Sequence, residues 1–218
     1  MITVIDGPAG SGKSSTARAV ADKLKIEYLD SGALYRTATL LYLQAACDEA
    51  QFFQLLNKIK VTFSYYDQQF HVKVNDDAVT DQLRTPKVAQ NVSHVAAMPR
   101  VRAFINDLMR EAVANGVYIA EGRDLGTAVF PNADLKFFMK AALEERARRR
   151  YKERKPDNPE LTLDEVKQNI EQRDHKDSNR EADPLQKADD AIEIDTTHLS
   201  FEQQVEKICS HISDQIES

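Results

Sequence analysis

Residues 2–14 read ITVIDGPAGSGKS, a short apolar strand pattern that leads directly into Gly-x-x-x-x-Gly-Lys-Ser. A helical pattern follows from Lys13. A strand, a glycine-rich loop and a helix in this order form a phosphate-binding loop, because the glycines let backbone N–H groups converge on an anion that the helix N-terminus also faces. The stretch therefore predicts a site for the phosphates of ATP or GTP.

The polar residues of this loop have separate chemical roles. Lys13 places a positive charge at the β- and γ-phosphates, and the hydroxyl of Ser14 can ligate Mg²⁺. We therefore predict Mg²⁺ as the cofactor and Ser14 as its protein ligand. The predicted ATP-binding residues are Gly7, Pro8, Ala9, Gly10, Ser11, Gly12, Lys13, Ser14 and Ser15.

The bulk composition limits the class of protein. The chain has 218 residues, 42% of them hydrophobic, and a formal net charge of −6, which favours one domain that is not a general binder of polyanions. Cys47 and Cys209 are isolated, as is usual in a reducing compartment. No signal-peptide pattern or long apolar run is visible, so we predict a cytoplasmic protein with no membrane partner.

Helical and strand patterns alternate along the chain, which favours an α/β fold with a central parallel sheet flanked by helices. The predicted sheet strands are 2–6, 26–29, 117–120, 135–139 and 191–194. Helices are predicted to begin near Lys13, Ala33, Pro86, Pro99, Leu143, Leu163 and Ser200. Segments 61–66 and 70–74 alternate apolar and polar residues instead, which predicts a small antiparallel β insert.

Polar clusters follow three of the predicted strands, at residues 7–14, 30–36 and 121–124. Ligands of such sheets bind at the carboxyl ends of the strands, so the clusters predict a site for a nucleotide and a second substrate. Within the second cluster, Arg36 has two interpretations. It binds a second anion, or it is a surface arginine paired with a carboxylate.

The helix that begins at the predicted capping box of Thr162 and Glu165 has an apolar stripe that turns charged. The apolar part is Leu163, Val166 and Ile170, and the charged continuation is Arg173, Asp177 and Arg180. The charged end either faces a polar cavity that binds a phosphate and a sugar, or is a solvated helix end.

Residues 146–155 are strongly basic, and a Pro-rich loop follows at 156–159. One interpretation is a mobile lid whose arginines close on a transferring phosphoryl group. The other is a nucleic-acid surface. The only accompanying aromatic residue is Tyr151 and the overall charge is negative, so we favour the lid and predict no nucleic-acid partner.

Four runs together resemble bacterial cytidylate kinases, which are nucleoside monophosphate kinases of the P-loop class. The runs are GPAGSGKS at 7–14, DSGALYR at 30–36, EGRDLGT at 121–127 and RDHKDSNR at 173–180, and the resemblance extends from residue 2 to about 206. It implies transfer of the γ-phosphoryl group of ATP to CMP or dCMP, giving CDP or dCDP and ADP, in pyrimidine nucleotide metabolism.

The resemblance also implies an organisation. A monomeric P-loop NTPase fold over 1–218 would comprise a core of 1–59 and 86–218, an insert at 60–85 that binds the monophosphate, and a mobile lid at about 146–160.

Site residues follow from the resemblance by position in the motifs. Lys13, Arg123, Arg149 and Arg180 would be catalytic. Ser31, Arg102 and Asp124 would contact cytosine, whose N4 amino group suits a carboxylate. Ser93, Arg173 and Asp177 would contact the sugar, and Arg36, Arg123 and Arg180 the acceptor phosphate. Arg150 would join Arg149 in the lid, and residues 195–200 would lie near the adenine.

The chain departs from some members of that family at three positions. Glu121 replaces an aspartate, and either carboxylate can hold Mg²⁺ through water, while Lys176 and Ser178 replace arginines. Two rival functions remain open. One is a P-loop kinase acting on AMP, dTMP or a non-nucleotide alcohol, and the other is an RNA-binding or regulatory NTPase.

Overall fold

A computed structural model describes residues 1–156 and 158–216. Its strands, in chain order, are β1 (Ile2–Asp6), β2 (Glu27–Asp30), β3 (Val61–Tyr66), β4 (Gln69–Val74), β5 (Asp77–Ala78), β6 (Tyr118–Glu121), β7 (Leu135–Lys140) and β8 (Ile192–Asp195). Five of them form one parallel sheet in the order β2-β6-β1-β7-β8. The predicted parallel sheet is confirmed, with strand ends shifted by about one residue.

The helices are α1 (Lys13–Leu24), α2 (Ser31–Gln44), α3 (Glu49–Leu56), α4 (Pro86–Val95), α5 (Pro99–Ala112), α6 (Leu143–Arg154), α7 (Leu163–Asn179) and α8 (Phe201–Ile216). Proline opens α4 and α5, and both hydrogen bonds of the predicted capping box at Thr162 and Glu165 are present. The described helices include none with the length and apolar character that a membrane crossing requires. Helix α3 was not predicted from the sequence.

The parallel sheet forms the centre of the hydrophobic core. Ile5 of β1, Ile119 of β6 and Phe137 of β7 are at most 1% exposed. Helices cover a parallel sheet on both faces, and its central strands β1 and β6 are accordingly mostly apolar rather than alternating, with a carboxylate at the end of each. This burial holds the carboxyl ends of the strands, where the polar clusters begin, in a rigid frame.

The antiparallel insert is present as a sheet of β3, β4 and β5. Its inner face packs on β2, since the rings of Tyr28 and Tyr65 meet edge-on with centroids 5.1 Å apart. The Tyr65 hydroxyl also donates to Asp22 of α1 over 2.9 Å. The insert is therefore attached to the core beside the strand that carries the second polar cluster.

Helices α6 and α7 pack together around a small apolar cluster of Ala147, Val166 and Ile170, separate from the main core. The predicted stripe of α7 is correct for Val166 and Ile170 but wrong for Leu163, which is 41% exposed at the first turn. The predicted loop at 156–159 includes Asp157, which lies outside the described residues.

Helix α3 offers a test of how α2 and α3 pack. Phe52 is fully buried and meets the ring of Tyr42 edge-on at 5.4 Å, whereas the neighbouring Phe53 is half-buried beneath Arg100. We expect Phe52→Ala to lower the free energy of unfolding by about 3 to 5 kcal/mol, because it leaves a cavity in a closed core. Phe53→Ala is the matched control, with an expected loss of about 1 kcal/mol. Urea denaturation measures both, and equal losses would contradict the packing described here.

Candidate active site

Three polar clusters lie side by side at one edge of the sheet. Strand β6 lies between β2 and β1, and Glu121 is the register partner of both Asp30 and Ile5. The loops that follow these three strands therefore start next to one another. This is the arrangement that the sequence predicted for a nucleotide and a second substrate.

The phosphate-binding loop has a backbone that requires glycine. Gly7 has a φ of +148°, and a Cβ atom there would lie 2.0 Å from the carbonyl oxygen of Met139. Gly12 has a φ of +98° and precedes the first turn of α1. Because Gly12 has no side chain to cap that turn, the first N–H groups of α1 are available to an anion.

Lys13 lies buried within this loop. Its Nζ atom donates to the Pro8 carbonyl over 2.9 Å and to the Ser11 hydroxyl over 3.4 Å. Burial and the nearby charge of Arg123 lower the pKa of Lys13 to about 7, against the opposing effect of Glu121. A polyphosphate at the loop would supply the negative charge that the protonated amine lacks.

Ser14 and Glu121 bring oxygen donors together beside Lys13. The Ser14 hydroxyl donates to the Glu121 carboxylate over 2.7 Å. Burial raises the pKa of Glu121, and the charge of Asp30 raises it further. A hydroxyl and closely spaced carboxylates are donors that Mg²⁺ prefers. In residues 1–156 and 158–216 no group of three or more His, Cys, Asp or Glu side chains could hold a metal ion, so phosphate oxygens would have to complete the shell.

Asp6 has a structural role that the sequence interpretation missed. Its two carboxylate oxygens accept hydrogen bonds from the backbone N–H groups of Leu125 (2.9 Å) and Gly126 (2.7 Å). Burial raises the pKa of Asp6 to about 6, although these two bonds oppose the shift. The residue thereby ties the end of β1 to the π-helical turn Leu125–Val129, which follows Asp124.

Asp124 is the buried centre of a group that we call the Asp124 cluster, which comprises Arg102, Asp124, Arg180 and Asp183. Its carboxylate pairs with Arg102 on one oxygen and with Arg180 on the other, the latter over 2.6 Å. Burial raises the pKa of Asp124 even though both arginines lower it. Asp183, which the sequence interpretation missed, accepts from Nε of Arg102 over 2.6 Å.

Four arginines form a second group, the arginine cluster of Arg123, Arg150, Arg154 and Arg173. Arg123 pairs with Asp177 over 2.8 Å. The Nε atom of Arg173 is buried and has no partner within the described part of the chain. Burial and the positive charge of Arg123 lower the pKa of Arg173 to about 10. Positive charge here exceeds negative charge, which suits a bound anion.

The remaining predicted substrate residues surround these two clusters. The Ser31 hydroxyl donates to the backbone carbonyl of Glu121 over 2.7 Å. Arg36 pairs with Asp30 over 3.2 Å, as one of its two interpretations required, but its buried Nε atom has no partner among residues 1–156 and 158–216. Ser93 is half-buried on α4, and α4 packs against α7.

Helix α6 is tied to the phosphate-binding loop. Arg149 donates to the carbonyl (2.6 Å) and the hydroxyl (3.1 Å) of Thr196, whose hydroxyl donates to the Ser11 carbonyl. Arg149 therefore lies on the nucleotide side of the site, together with the segment that follows β8.

A second set of hydrogen bonds joins α6 and α7 to the tip of the same loop, through residues to which the sequence interpretation gave no individual role. Arg146 donates to the Ala9 carbonyl over 2.9 Å, and Asp174 of α7 accepts from the Ala9 N–H over 3.1 Å. These partners are more than a hundred positions apart in sequence, and no local pattern indicates them.

The parallel sheet, the phosphate-binding loop and the cationic second site define the chain as a P-loop kinase. Solved structures with this fold include a shikimate kinase from Bacteroides thetaiotaomicron, with a TM-score of 0.52 and 14% identity over 100% of this chain and 99% of that one. A gluconokinase from Sinorhizobium meliloti 1021 matches with a TM-score of 0.50 and 12% identity, over 99% and 93% of the two chains. At such identities the likeness shows the fold alone.

Sequence comparison identifies the branch of that class. A sequence model described as cytidylate kinase matches residues 2–214. The cytidylate kinase of Carboxydothermus hydrogenoformans is 43% identical over 95% of each chain, and that of Fervidobacterium nodosum is 45% identical over 94% of this chain and 92% of its own. The chain belongs to the cytidylate kinase family, as the resemblance in its four motifs predicted.

The lowered pKa of Lys13 predicts that nucleotide binding takes up a proton. A bound polyphosphate raises the pKa of the Lys13 amine. At pH 8 this amine is therefore mostly neutral in the free protein and protonated in the complex. We expect a net uptake of protons, up to about one per ADP, with affinity weakening as the pH rises above 7. Calorimetry with ADP and EDTA in two buffers of different ionisation enthalpy measures it. Lys13→Arg, which is always charged, should show none. The same uptake in both proteins would contradict the assignment to Lys13.

The buried Nε atom of Arg173, which has no hydrogen-bond partner among the described residues, predicts opposite effects on stability and on binding. We expect Arg173→Gln to raise the free energy of unfolding by about 1 kcal/mol, because it removes a poorly compensated charge. The same change should weaken CMP binding about ten-fold, through the loss of a charge-assisted hydrogen bond. Urea denaturation in a buffer free of phosphate and sulfate measures the first effect. The exposed Arg148→Gln is the control, expected within about 0.5 kcal/mol of wild type. A less stable Arg173→Gln protein would show that the guanidinium is compensated.

Proposed function

We propose that this chain transfers the γ-phosphoryl group of ATP to CMP and dCMP, giving ADP and CDP or dCDP, in pyrimidine nucleotide metabolism. The observation that carries the proposal is the buried Asp124 carboxylate, beside the phosphate-binding loop, in a member of the cytidylate kinase family. A carboxylate accepts from the N4 amino group of cytosine, and Arg102 donates to O2 and N3. Uracil presents an acceptor oxygen where cytosine has the amino group, so UMP would be disfavoured.

ATP is held on the side of the phosphate-binding loop. The loop amides and Lys13 bind the β- and γ-phosphates, and residues 195–200 lie near the adenine. Ser14 and, through water, Glu121 would hold Mg²⁺, since their oxygens already lie 2.7 Å apart. When bound, Mg²⁺ offsets the charge of the phosphate oxygens.

The monophosphate is held on the opposite side of Lys13. Arg36, Arg123 and Arg180 bind its phosphate, while Ser93, Arg173 and Asp177 bind the sugar. Arg180 links base and phosphate recognition. Its Nη2 atom donates to Asp124 and its Nε atom donates to the Asp183 carbonyl, so Nη1 is left to donate to a phosphate. Ser31 completes the contacts to the base.

Catalysis in this arrangement depends on positioning and on charge. The acceptor phosphate is ionised near neutral pH, so it can attack in line without a strong general base. Lys13, Arg123 and Arg180 offset the charge that spreads over the transferred group. Arg149 holds the lid to the ATP site, and closure of the lid at about 146–160 excludes water and so suppresses hydrolysis of ATP.

The proposal includes the organisation of the protein. The chain is one P-loop kinase domain over 1–218, with a core of 1–59 and 86–218 and a monophosphate-binding insert at 60–85. It acts in the cytoplasm as a monomer on small-molecule nucleotides and not on nucleic acid. Support comes from the basic run itself, where Arg149 and Arg150 are paired with Glu145 and Glu153 rather than presented together to solvent.

The substrate preference tests this function. We expect turnover with CMP and dCMP, and little with UMP, AMP or dTMP, when ADP release is followed with each acceptor in turn. Asp124→Asn presents an amide donor to the base in place of a carboxylate acceptor. We expect it to lower kcat/KM for CMP by about 100-fold or more, and to lower the ratio of CMP to UMP turnover.

The control for this experiment is Asp107→Asn, which changes a 70% exposed carboxylate on α5 and should leave all five rates unchanged. Acceptor-independent turnover, or a preference for AMP or dTMP in the wild-type protein, would refute the proposed substrate. An unchanged CMP preference in Asp124→Asn would refute only the assignment of base recognition to Asp124.

A further inference from the structure

We infer that Asp183 is a specificity-determining positioning residue, which holds Arg102 and Arg180 around Asp124 so that the acceptor site selects cytosine over uracil. This inference rests on the proposed function, because it concerns the base of the same acceptor nucleotide. Asp183 lies in the segment between α7 and β8, beyond the last of the four family motifs, which ends at Arg180.

The contacts of Arg102 show what Asp183 fixes. Arg102 is 2% exposed, and each nitrogen of its guanidinium has a protein acceptor. The Nε atom donates to Asp183 over 2.6 Å, Nη1 donates to the Ala96 carbonyl over 3.3 Å, and Nη2 pairs with Asp124. The guanidinium also lies 5.6 Å from the centroid of the Tyr35 ring. Asp183 is therefore the charged and shorter of the two hydrogen-bond contacts, with the Ala96 carbonyl, that oppose rotation of Arg102 about its bond to Asp124.

Asp183 also holds the second arginine, through its backbone. Its carbonyl accepts from Nε of Arg180 over 2.7 Å, while Nη2 of Arg180 donates to Asp124. The φ of Asp183 is +46°, in the left-handed region that costs energy for a residue other than glycine, asparagine or aspartate. The four residues thus form a closed ring in which each arginine contacts both aspartates.

The charges of this ring explain why it affects the choice of base. The formal charges of the two arginines and two aspartates sum to zero. Asp124 therefore presents a hydrogen-bond acceptor to the base, and Arg102 a donor, without an excess of either charge. Loss of the Asp183 carboxylate leaves one net positive charge and frees an Arg102 N–H. Both changes favour the O4 acceptor of uracil, which the intact ring disfavours. Asp183 exerts this effect without touching the base, since its contacts are to the arginines.

Two substitutions separate the side chain from the backbone. Asp183→Gly keeps the left-handed backbone and removes the carboxylate, and Asp183→Asn keeps both the backbone preference and an acceptor oxygen. The Asp183 side chain is 37% exposed, so neither change leaves a closed cavity. Asp189→Asn is the control, because it removes an exposed carboxylate from the same segment.

The readout is the ratio of kcat/KM for CMP to that for UMP, measured on one preparation, because this ratio does not depend on the fraction of folded enzyme. We expect Asp183→Gly to lower it about ten-fold, the effect of one charge-assisted hydrogen bond, mainly through a higher KM for CMP. Asp183→Asn should restore part of the ratio, and Asp189→Asn should keep all of it.

A ratio in Asp183→Gly within about two-fold of wild type would overturn the inference, and so would an equal fall in kcat for both nucleotides. If the wild-type protein does not prefer CMP to UMP, the proposed function fails and the inference fails with it. A wild-type preference for CMP that Asp183→Gly retains would leave the proposed function standing and remove only the role of Asp183.

Discussion

The carboxylate of Asp6 connects the two loops on which the site depends. It closes β1 immediately before the phosphate-binding loop, and both of its oxygens accept backbone N–H groups from the turn that follows β6. The backbone at Gly7, next to it, lies so close to the Met139 carbonyl that the position admits no side chain. The phosphate-binding loop and the turn that follows Asp124 are consequently joined through one carboxylate.

The charged side chains of the site favour the binding of anionic ligands more than the stability of the free protein. The chain as a whole has a net charge of −6, yet its site concentrates arginines and a buried lysine. Burial lowers the pKa of Lys13 and of Arg173, which means that the folded protein holds cations where it solvates them poorly. In the proposed function, the phosphates of the two nucleotides supply the missing negative charge. A site of this kind gives up part of the stability of the free protein in exchange for affinity.

Local patterns predicted most of the fold. The apolar run of β1, the spacing of the glycines and the helical pattern after Lys13 predicted the strand, the loop and α1. The residues that cap or open a helix predicted the helix starts at Pro86, Pro99 and Thr162. The three polar clusters meet because parallel strands align their carboxyl ends.

The parts that could not be predicted depend on distant partners. Asp174 contacts Ala9, which lies 165 positions away in the sequence, and Asp183 contacts Arg102, which lies 81 positions away. The neighbouring sequence of each aspartate is therefore the same as that of an aspartate exposed to solvent. The placement of helices α6 and α7 also depends on distant partners. The two helices share a small apolar cluster, and they contact the phosphate-binding loop and the Thr196 segment through Arg146, Arg149 and Asp174. Polar contacts exchange with water or phosphate at little net cost, whereas separating apolar surfaces is expensive. Helices α6 and α7 therefore meet the phosphate-binding loop through hydrogen bonds that a bound phosphate can replace, whereas the contact between the two helices is apolar.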